Sequence, residues 1–264
     1  MKRILAIANQ KGGVGKTSIA VNLSASFAYY GKRVLLVDLD PQGNATTGSG
    51  VDKSAVEASI YGVLLGEYPA SRARVQGSGG YQVLPANRNL AGAEIELIEL
   101  PQREFRLRDA IQSIADDYDF IVVDCPPALN LLTVNGLSAA DSVIIPMQCE
   151  YYALEGLSDL VGTLRRVKAH LNPRIEIEAL VRTMYDARNT LTVQVSEELK
   201  RHYGSKVFDT VIPRNVRIAE APSYGRPALL HDAHSKGAQA HLAFARELLL
   251  RWGLAVQMPA GALA

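Results

Sequence analysis

The residues with the clearest chemical potential lie in the stretch NQKGGVGKTS, residues 9–18. Its three glycines allow the backbone to wrap closely around an anion, so that successive N–H groups point at phosphate oxygens. The lysine directly before the threonine can supply charge to β/γ-phosphate oxygens, and the threonine hydroxyl can ligate Mg²⁺. The pattern predicts a nucleotide-binding loop made of Lys11, Gly12, Gly13, Val14, Gly15, Lys16, Thr17 and Ser18. One lysine, Lys16, fills the phosphate role, so Lys11 needs another explanation.

Two acidic segments carry the remaining catalytic chemistry. The stretch DLD ends an apolar run with Asp38 and Asp40, which alternate along a strand and therefore lie on one side of it. Asp40, at the tip, is predicted to orient the attacking water and to help hold Mg²⁺, whereas Asp38 is predicted to be a supporting partner. Asp124 follows another apolar run and is expected to hold the water shell of the ion. The predicted metal group is therefore Thr17, Asp40 and Asp124.

Apolar runs rich in valine, isoleucine and leucine alternate with segments of helical periodicity, and these elements must position the polar groups. Continuous apolar runs are typical of strands buried on both faces. Repeated β–α alternation predicts an α/β fold of the P-loop NTPase type, with a mostly parallel, twisted sheet and helices on both faces. The predicted strands are 3–9, 33–40, 81–87, 120–127, 142–148, 175–183 and 206–214. The clearest helical patterns lie within 19–27, 154–167, 191–199 and 234–252.

Ligands of open parallel sheets bind outside the carboxyl ends of the strands. Four predicted strands run directly into polar segments, namely KGGVGKTS, DLDPQGN, DCPP and PRN. Pro213 and Asn215, in the last of these, are predicted to complete the nucleotide site. Because the carboxyl ends share one edge, these segments are expected to meet there.

Composition sets the remaining bounds. The 264 residues are 48% hydrophobic and 21% charged, with a net charge of +1. No apolar run approaches the roughly 18 residues of a membrane span, and no secretory signal is recognised, which predicts a cytoplasmic protein with no membrane partner. We predict one domain over residues 1–252 and a short tail over 253–264. Two cysteines, Cys125 and Cys149, are predicted to be buried and structural.

The sequence resembles ParA-type (Soj-like) partition ATPases of the deviant Walker A family, for chromosomes or plasmids. The resemblance rests on MKRILAIANQKGGVGKTS, VDLDPQGN, IVVDCPP and IPRNVRIAEAPSYG, and covers nearly the whole chain. It implies that Lys11 is the signature lysine, which reaches the phosphates of the other subunit in an ATP-bound dimer. Lys11, Lys16 and Asp40 are thereby the predicted catalytic residues, and the segments 40–44 and 124–127 are predicted switches.

The same resemblance implies ATP and Mg²⁺ as cofactors and three partners. These are a second copy of the chain bound in an ATP-dependent homodimer, nonspecific double-stranded DNA, and a ParB-type centromere-binding protein that stimulates slow hydrolysis. Phosphate contacts suit a protein that holds nucleoid DNA without reading its sequence. The predicted DNA-binding residues are Arg188, Arg217, Lys200, Arg201 and Arg214.

Two positions depart from the family pattern. Asn189 and Thr190 stand in swapped order, although either can cap a following helix. Arg182 occupies a position where a neutral residue is usual, and the sequence assigns it no role.

Two other classes of function share the nucleotide core. A MinD-type cell-division ATPase ends in a basic amphipathic helix that lies on a membrane, whereas this chain ends RWGLAVQMPAGALA. An iron-protein-type reductase holds a four-thiolate cluster between subunits, but the spacing of the two cysteines here does not match that family. The MinD-type function is the main alternative.

Overall fold

One eight-stranded sheet forms the centre of the computed structural model, which describes residues 2–257. The strand order is β3-β4-β2-β5-β1-β6-β7-β8, and every pairing is parallel except β3 with β4. The predicted mostly parallel α/β sheet is confirmed. The strands are β1 (Arg3–Ile7), β2 (Val34–Asp38), β3 (Val75–Gln76), β4 (Gln82–Leu84), β5 (Phe120–Asp124), β6 (Ser142–Gln148), β7 (Glu176–Tyr185) and β8 (Val207–Pro213).

Helices connect these strands and cover both faces of the sheet. They are α1 (Lys16–Tyr29), α2 (Asn44–Gly48), α3 (Ile60–Leu65), α4 (Ala70–Ala73), α5 (Leu90–Glu96), α6 (Arg106–Gln112), α7 (Leu131–Ala139), α8 (Ala153–His170), α9 (Thr190–Tyr203), α10 (Val216–Glu220), α11 (Ala228–His231) and α12 (Lys236–Arg251). The four helices predicted from periodicity correspond to α1, α8, α9 and α12.

Alternate residues of each central strand feed two separate hydrophobic cores. In β1, Leu5 and Ile7 pack on the face covered by α1 and α12, whereas Ala6 packs on the face covered by α3 and α5–α9. Successive side chains of a strand point to opposite faces, so a strand buried on both sides must be apolar throughout. This explains why the central strands are continuous apolar runs.

The sequence missed one strand and several short helices. β3 has only two residues and pairs antiparallel with β4 through a turn in the glycine-rich segment 76–80. This segment is therefore the connection of a small hairpin. Helices of four to nine residues contain too few turns to establish a helical period, and the two residues of β3 are too few to show a strand pattern.

Arg182 supports an irregularity in the edge strand β8. Between the pairs Leu180↔Val207 and Arg182↔Val211, β8 has two more residues than β7. The buried guanidinium of Arg182 donates to the backbone oxygens of Phe208 (2.5 Å) and Asp209 (3.0 Å) in this bulge. The Glu247 carboxylate on α12 accepts from the backbone N–H groups of residues 209 and 210, at 3.0 Å each. The bulge is therefore held from both faces of the sheet.

We expect Arg182→Met to lower the free energy of unfolding by about 2 kcal/mol. The variant removes the donors to two carbonyls of the bulge and to Ser196 Oγ. Each buried polar group left without a partner costs about 1–3 kcal/mol. Removal of the buried charge of Arg182 offsets part of this loss. Denaturant unfolding would measure the change. Arg165→Met on the exposed side of α8 is the matched control, and equal effects of the two substitutions would contradict the role given to Arg182.

The described chain beyond α12 lies on the core. Leu254 and Val256, inside the predicted tail, pack partly buried against the α1–α12 side, and residues 258–264 lie outside the described part of the chain. Within residues 2–257, each helix is too short or too polar to cross a membrane.

Candidate nucleotide site

The predicted phosphate loop connects β1 to α1 at the carboxyl edge of the sheet. Gly13 and Gly15 have φ angles of 74° and 90°, in the left-handed region that favours glycine. Neighbouring strands hold the loop, since Thr183 Oγ1 donates to Val14 O (2.8 Å) and Gln148 Nε2 donates to Gly13 O (3.1 Å). Among residues 2–257, no side chain caps the first turn of α1, so its N–H groups can bind an anion.

Lys16 places a buried positive charge inside this loop. The side chain is 7% exposed, and Nζ donates to Lys11 O at 3.2 Å. Burial lowers the pKa of Lys16, while the charges of Asp124 and Asp40 act in the opposite direction. A lysine in this position can bind phosphate oxygens, as predicted for Lys16.

The predicted metal group of Thr17, Asp40 and Asp124 includes a buried carboxylate. Asp124 is fully buried, and neither of its oxygens has a partner of normal geometry among the described residues. Burial, followed by the charge of Asp38, raises the pKa of Asp124, and the neighbouring Thr17 hydroxyl lowers it. An unpaired buried carboxylate beside a hydroxyl and near Asp40 fits Mg²⁺, which binds through few protein oxygens and keeps waters and phosphate oxygens as its other ligands. Within residues 2–257, no cluster of three or more His, Cys, Asp or Glu side chains could hold a metal alone.

Asp38 and Asp40 have different surroundings. Asp38 is fully buried, and its Oδ2 accepts from Thr46 N (2.8 Å) and Thr46 Oγ1 (2.7 Å), which fastens β2 to α2. Burial raises the pKa of Asp38 to about 6, although the bonds from Thr46 oppose the shift. Asp40 is partly exposed at the strand end, and its Oδ1 accepts only from Gln42 N (2.9 Å) among the described residues. Asp38 thus has structural contacts, and Asp40 retains oxygens for a ligand.

Lys11 pairs with a carboxylate from outside the phosphate loop. Its Nζ forms an ion pair with Glu150, beyond the end of β6, at 2.5 Å, and both side chains are about half exposed (48% and 52%). The two lysines therefore have different environments, since Lys16 is buried in the loop and Lys11 is half exposed and paired with Glu150. Sequence reasoning did not identify Glu150.

A cavity of about 170 Å³ adjoins the start of α1 on the side of β7 and β8. Pro213 and Asn215, both predicted nucleotide residues, line it, and Asn215 Oδ1 also caps α10 by accepting from Arg217 N at 3.0 Å. Sequence reasoning missed most of the other lining residues, because apolar side chains give no motif. The lining is Gly15, Ser18, Ile19, Thr183, Met184, Ile212, Pro213, Arg214, Asn215, Ile218, Ala219 and His241.

The five predicted DNA-binding residues divide into two groups. Arg188 follows β7, and Arg214 and Arg217 follow β8, so these three lie at the carboxyl edge near the nucleotide site. Lys200 and Arg201 lie in the last turn of α9, about 15 Å along the helix from its first residue. Lys200 pairs with Asp209 near the start of β8, which places this group toward the opposite edge.

Most of these basic side chains are paired with acids on the surface. Arg188, 90% exposed, forms a two-pronged ion pair with Asp186 (2.9 and 2.8 Å), and the bonds from Arg188 lower the pKa of Asp186 to about 2. Arg217 contacts Glu220 (3.0 Å) and Asp232 (3.4 Å). Exposed pairs of this kind contribute little to stability, so phosphate groups can compete for the arginines.

Two sequence predictions near the site agree with the structure. Asn189 caps α9, with its Oδ1 accepting from Leu191 N at 3.0 Å, so the swapped order of residues 189 and 190 keeps the cap. Cys125 and Cys149 are buried free thiols, and burial raises the pKa of Cys149 to about 11.

Comparison with known proteins identifies the family. The AAA domain family model matches residues 2–177. The chain is 52% identical over 252 residues to the chromosome partitioning protein ParA of Caulobacter vibrioides, covering 94% of each chain. It is 49% identical over 249 residues to the chromosome-partitioning ATPase Soj of Thermus thermophilus, covering 94% of this chain and 96% of the relative.

A solved structure shares the architecture over nearly the full length. Cobyrinic acid a,c-diamide synthase of Mycobacterium smegmatis, with a bound ATP analogue and magnesium, is 39% identical, with a TM-score of 0.85, covering 98% of this chain and 99% of that one. Its named activity differs from that of the relatives with higher sequence identity. The phosphate loop, the mostly parallel sheet and these sequence relationships show that the chain belongs to the ParA/Soj family of chromosome-partitioning P-loop ATPases and is itself an ATPase.

Proposed function

We propose that this protein is a partition ATPase in which ATP and Mg²⁺ drive formation of a homodimer that binds DNA without sequence preference. The observation that carries the proposal is the difference in environment between the two lysines. Lys16 is buried in its own loop, whereas the half-exposed Lys11 pairs with Glu150. A half-exposed lysine that its own loop does not engage is suited to reach the phosphates of a second subunit placed face to face.

Each residue of the site has a defined task in this proposal. The loop from Gly12 to Ser18 and Lys16 hold the phosphates, and Thr17, Asp40 and Asp124 hold Mg²⁺, which neutralises phosphate charge. Asp40 orients the attacking water. Lys11 of the opposite subunit stabilises the charge that develops on the transferred phosphoryl group, so that turnover requires the dimer.

The slow turnover makes the ATP-bound dimer a persistent state. A ParB-type centromere-binding protein stimulates hydrolysis and ends that state, and the segments 40–44 and 124–127 change conformation when the γ-phosphate leaves. The protein is thereby nucleoid-associated while ATP is bound, and it supports segregation of a chromosome or plasmid.

The proposed DNA surface is the carboxyl edge that bears Arg188, Arg214 and Arg217. Arg188 and Arg217 are exposed and sit beyond the ends of neighbouring parallel strands, where β7 and β8 pair Tyr185 with Pro213. DNA phosphates replace Asp186, Glu220 and Asp232 as partners of these arginines. A twofold dimer presents the surface twice, which doubles the number of phosphate contacts.

We expect the double variant Arg188→Glu/Arg217→Glu to bind nonspecific duplex DNA about 100-fold more weakly than the unaltered protein in the presence of ATP. The substitutions remove phosphate contacts and add repulsion, so the dependence of affinity on salt concentration also becomes shallower. DNA co-sedimentation with ATP, with ADP and without nucleotide, at several salt concentrations, measures both effects. The unaltered protein is expected to bind DNA only with ATP.

The matched control is Lys200→Glu/Arg201→Glu, which makes the same charge change at the opposite edge. If this control variant binds DNA as well as the unaltered protein does, the division of the basic residues into two groups is supported. If it loses as much DNA binding as Arg188→Glu/Arg217→Glu, the DNA contacts lie along α9 instead. Normal DNA retention by the Arg188/Arg217 variant would contradict the proposed surface. ATP-dependent binding to anionic lipid vesicles without binding to DNA would favour the MinD-type alternative.

A further inference from the structure

The side-chain amide of Gln148 joins the phosphate loop to the chain that leaves β7. Gln148 is the last residue of β6 and lies opposite Thr183 in the pairing of β6 with β7. Its Nε2 lies 3.1 Å from Gly13 O and 2.8 Å from Met184 Sδ. The nitrogen of a side-chain amide carries two hydrogens, so it can donate to both acceptors at once. One side chain therefore connects the loop suited to phosphate with the segment that leads to Arg188.

The bond to Gly13 acts on a peptide group whose other end can bind phosphate. The carbonyl of Gly13 and the N–H of Val14 belong to one planar trans peptide group, and they point in opposite directions. A phosphate oxygen that accepts from this N–H polarises the peptide group and strengthens Gly13 O as an acceptor, because hydrogen bonds in a chain reinforce one another. A nucleotide in the loop is therefore expected to tighten the bond from Gln148.

Met184, the second acceptor, has a strained backbone. Its φ angle is 50°, in the left-handed region that residues other than glycine rarely adopt. Such conformations persist only where surrounding contacts impose them, and they are frequent in segments that change conformation. Thr183, directly before it, is bonded through its hydroxyl to the phosphate loop, and Tyr185, directly after it, is paired with β8. The conformation of Met184 therefore depends on contacts that include the loop.

A short ordered segment connects Met184 to Arg188. Asp186 Oδ1 accepts from Arg188 N at 3.0 Å, and Asp186 O accepts from Asn189 N at 3.1 Å. The carboxylate of Asp186 also holds the guanidinium of Arg188. Because these bonds form a compact turn, a change of backbone angle at Met184 moves Arg188 as well.

We propose that Gln148 is a positioning residue that couples nucleotide in the phosphate loop to the placement of Arg188 against DNA. The inference rests on the proposed function, because it takes ATP to bind the loop and DNA to bind Arg188. When the loop is occupied, the tightened bond to Gly13 fixes Gln148, which holds Met184 in its left-handed conformation. When the loop is empty, that bond is weaker and the strained conformation of Met184 is less populated.

The test replaces Gln148 by methionine, which has a similar length but no hydrogen to donate. Fluorescence anisotropy of a labelled nonspecific duplex measures DNA affinity with saturating ATP and Mg²⁺ and, without nucleotide, at a low salt concentration that makes weak binding measurable. We expect Gln148→Met to lower DNA affinity about tenfold with ATP, as loss of one neutral hydrogen bond provides, and to leave the affinity without nucleotide unchanged. Equal losses in both states, or no loss with ATP, would overturn the proposal.

Two controls exclude other causes of a loss. Size-exclusion chromatography with ATP is expected to show that Gln148→Met dimerises normally, and loss of the dimer would make Gln148 an interface residue and overturn the proposal. Gln76→Met is the matched substitution in the β3–β4 hairpin, where Nε2 also lies near two acceptors, Gly77 O (3.3 Å) and Tyr81 O (3.1 Å). It is expected to bind DNA as the unaltered protein does, and a loss equal to that of Gln148→Met would overturn the proposal.

A double-mutant cycle tests whether Gln148 acts through Met184. Met184→Gly removes Sδ but still allows the left-handed conformation, and it is expected to lose about tenfold in DNA affinity with ATP. The double variant Gln148→Met/Met184→Gly is expected to lose no more than either single variant, and losses that multiply would overturn the proposal. An unaltered protein whose DNA affinity is the same with and without ATP would instead overturn the proposed function together with this inference.

Discussion

Lys16→Ala is expected to weaken ATP binding about 100-fold. The charge of Lys16 lies inside the phosphate loop, 7% exposed, and charge-assisted hydrogen bonds to phosphate oxygens are among the strongest in proteins. Alanine also leaves Asp124 and Asp40 without the nearby positive charge. Calorimetric titration with ATP and Mg²⁺ measures the loss.

Lys11→Ala is expected to bind ATP normally and yet to lose ATP-dependent dimerisation and at least about 1000-fold in turnover. The Nζ of Lys11 pairs with Glu150 rather than with its own phosphate loop, so its removal is expected to affect only what a second subunit receives. Cationic groups supplied in trans to a phosphoryl-transfer site contribute factors of this size. Size-exclusion chromatography with ATP and a phosphate-release assay measure the two losses.

A third lysine, Lys168, provides the control for both substitutions. Lys168→Ala removes a partly exposed lysine paired with Glu176 far from the loop, and it is expected to change neither binding nor turnover. Normal hydrolysis by Lys11→Ala would contradict the trans role, and loss of ATP binding by that variant would show that Lys11 serves its own loop.

Asp40→Ala is expected to bind ATP, form the dimer and remain there, with turnover reduced about 100- to 10,000-fold. The reason is that Asp40 is the partly exposed carboxylate at the end of β2, free to orient water, and a positioned general base contributes factors of this order. Size-exclusion chromatography after prolonged incubation with ATP would show a persistent dimer.

The variant Asp38→Ala distinguishes an effect on folding from an effect on catalysis. Asp38→Ala removes the acceptor for both bonds from Thr46 and is expected to lower the unfolding temperature, unlike Asp40→Ala. Asp52→Ala, at an exposed turn, is the control for loss of a surface carboxylate. An Asp40→Ala protein that stays monomeric with ATP would show that Asp40 serves nucleotide binding or dimerisation.

The sequence predicted those parts of the fold that depend on local patterns. Both faces of β1, β2, β5 and β6 are buried, so their apolar runs were visible without the structure. β3 and the short helices were not, because their few residues are placed by tertiary contacts. The sequence also could not assign Arg182, since the bulge that it supports depends on the register of β7 against β8.

The site divides in the same way. Gly13, Gly15, Lys16 and Asp124 belong to contiguous motifs, and the structure brings their segments to one edge as predicted. Glu150 and His241 belong to no motif. Glu150 is identified only by its ion pair with Lys11, which is distant in sequence, and His241 only by its position in the cavity wall. The ion pairs of Arg188 and Arg217 are likewise properties of the folded surface, although Asp186 and Glu220 are close enough in sequence to have suggested them.

The packing of α1 against α12 has a consequence for biosynthesis. Tyr30, directly after α1, donates through its hydroxyl to Leu242 O on α12, and the cavity beside the phosphate loop takes residues from both helices. The phosphate loop is translated near the beginning of the chain, whereas His241 is translated near the end. A nascent chain on the ribosome therefore carries the phosphate loop long before the wall of the adjoining cavity is complete, and that wall forms only after α12 has been synthesised and has docked.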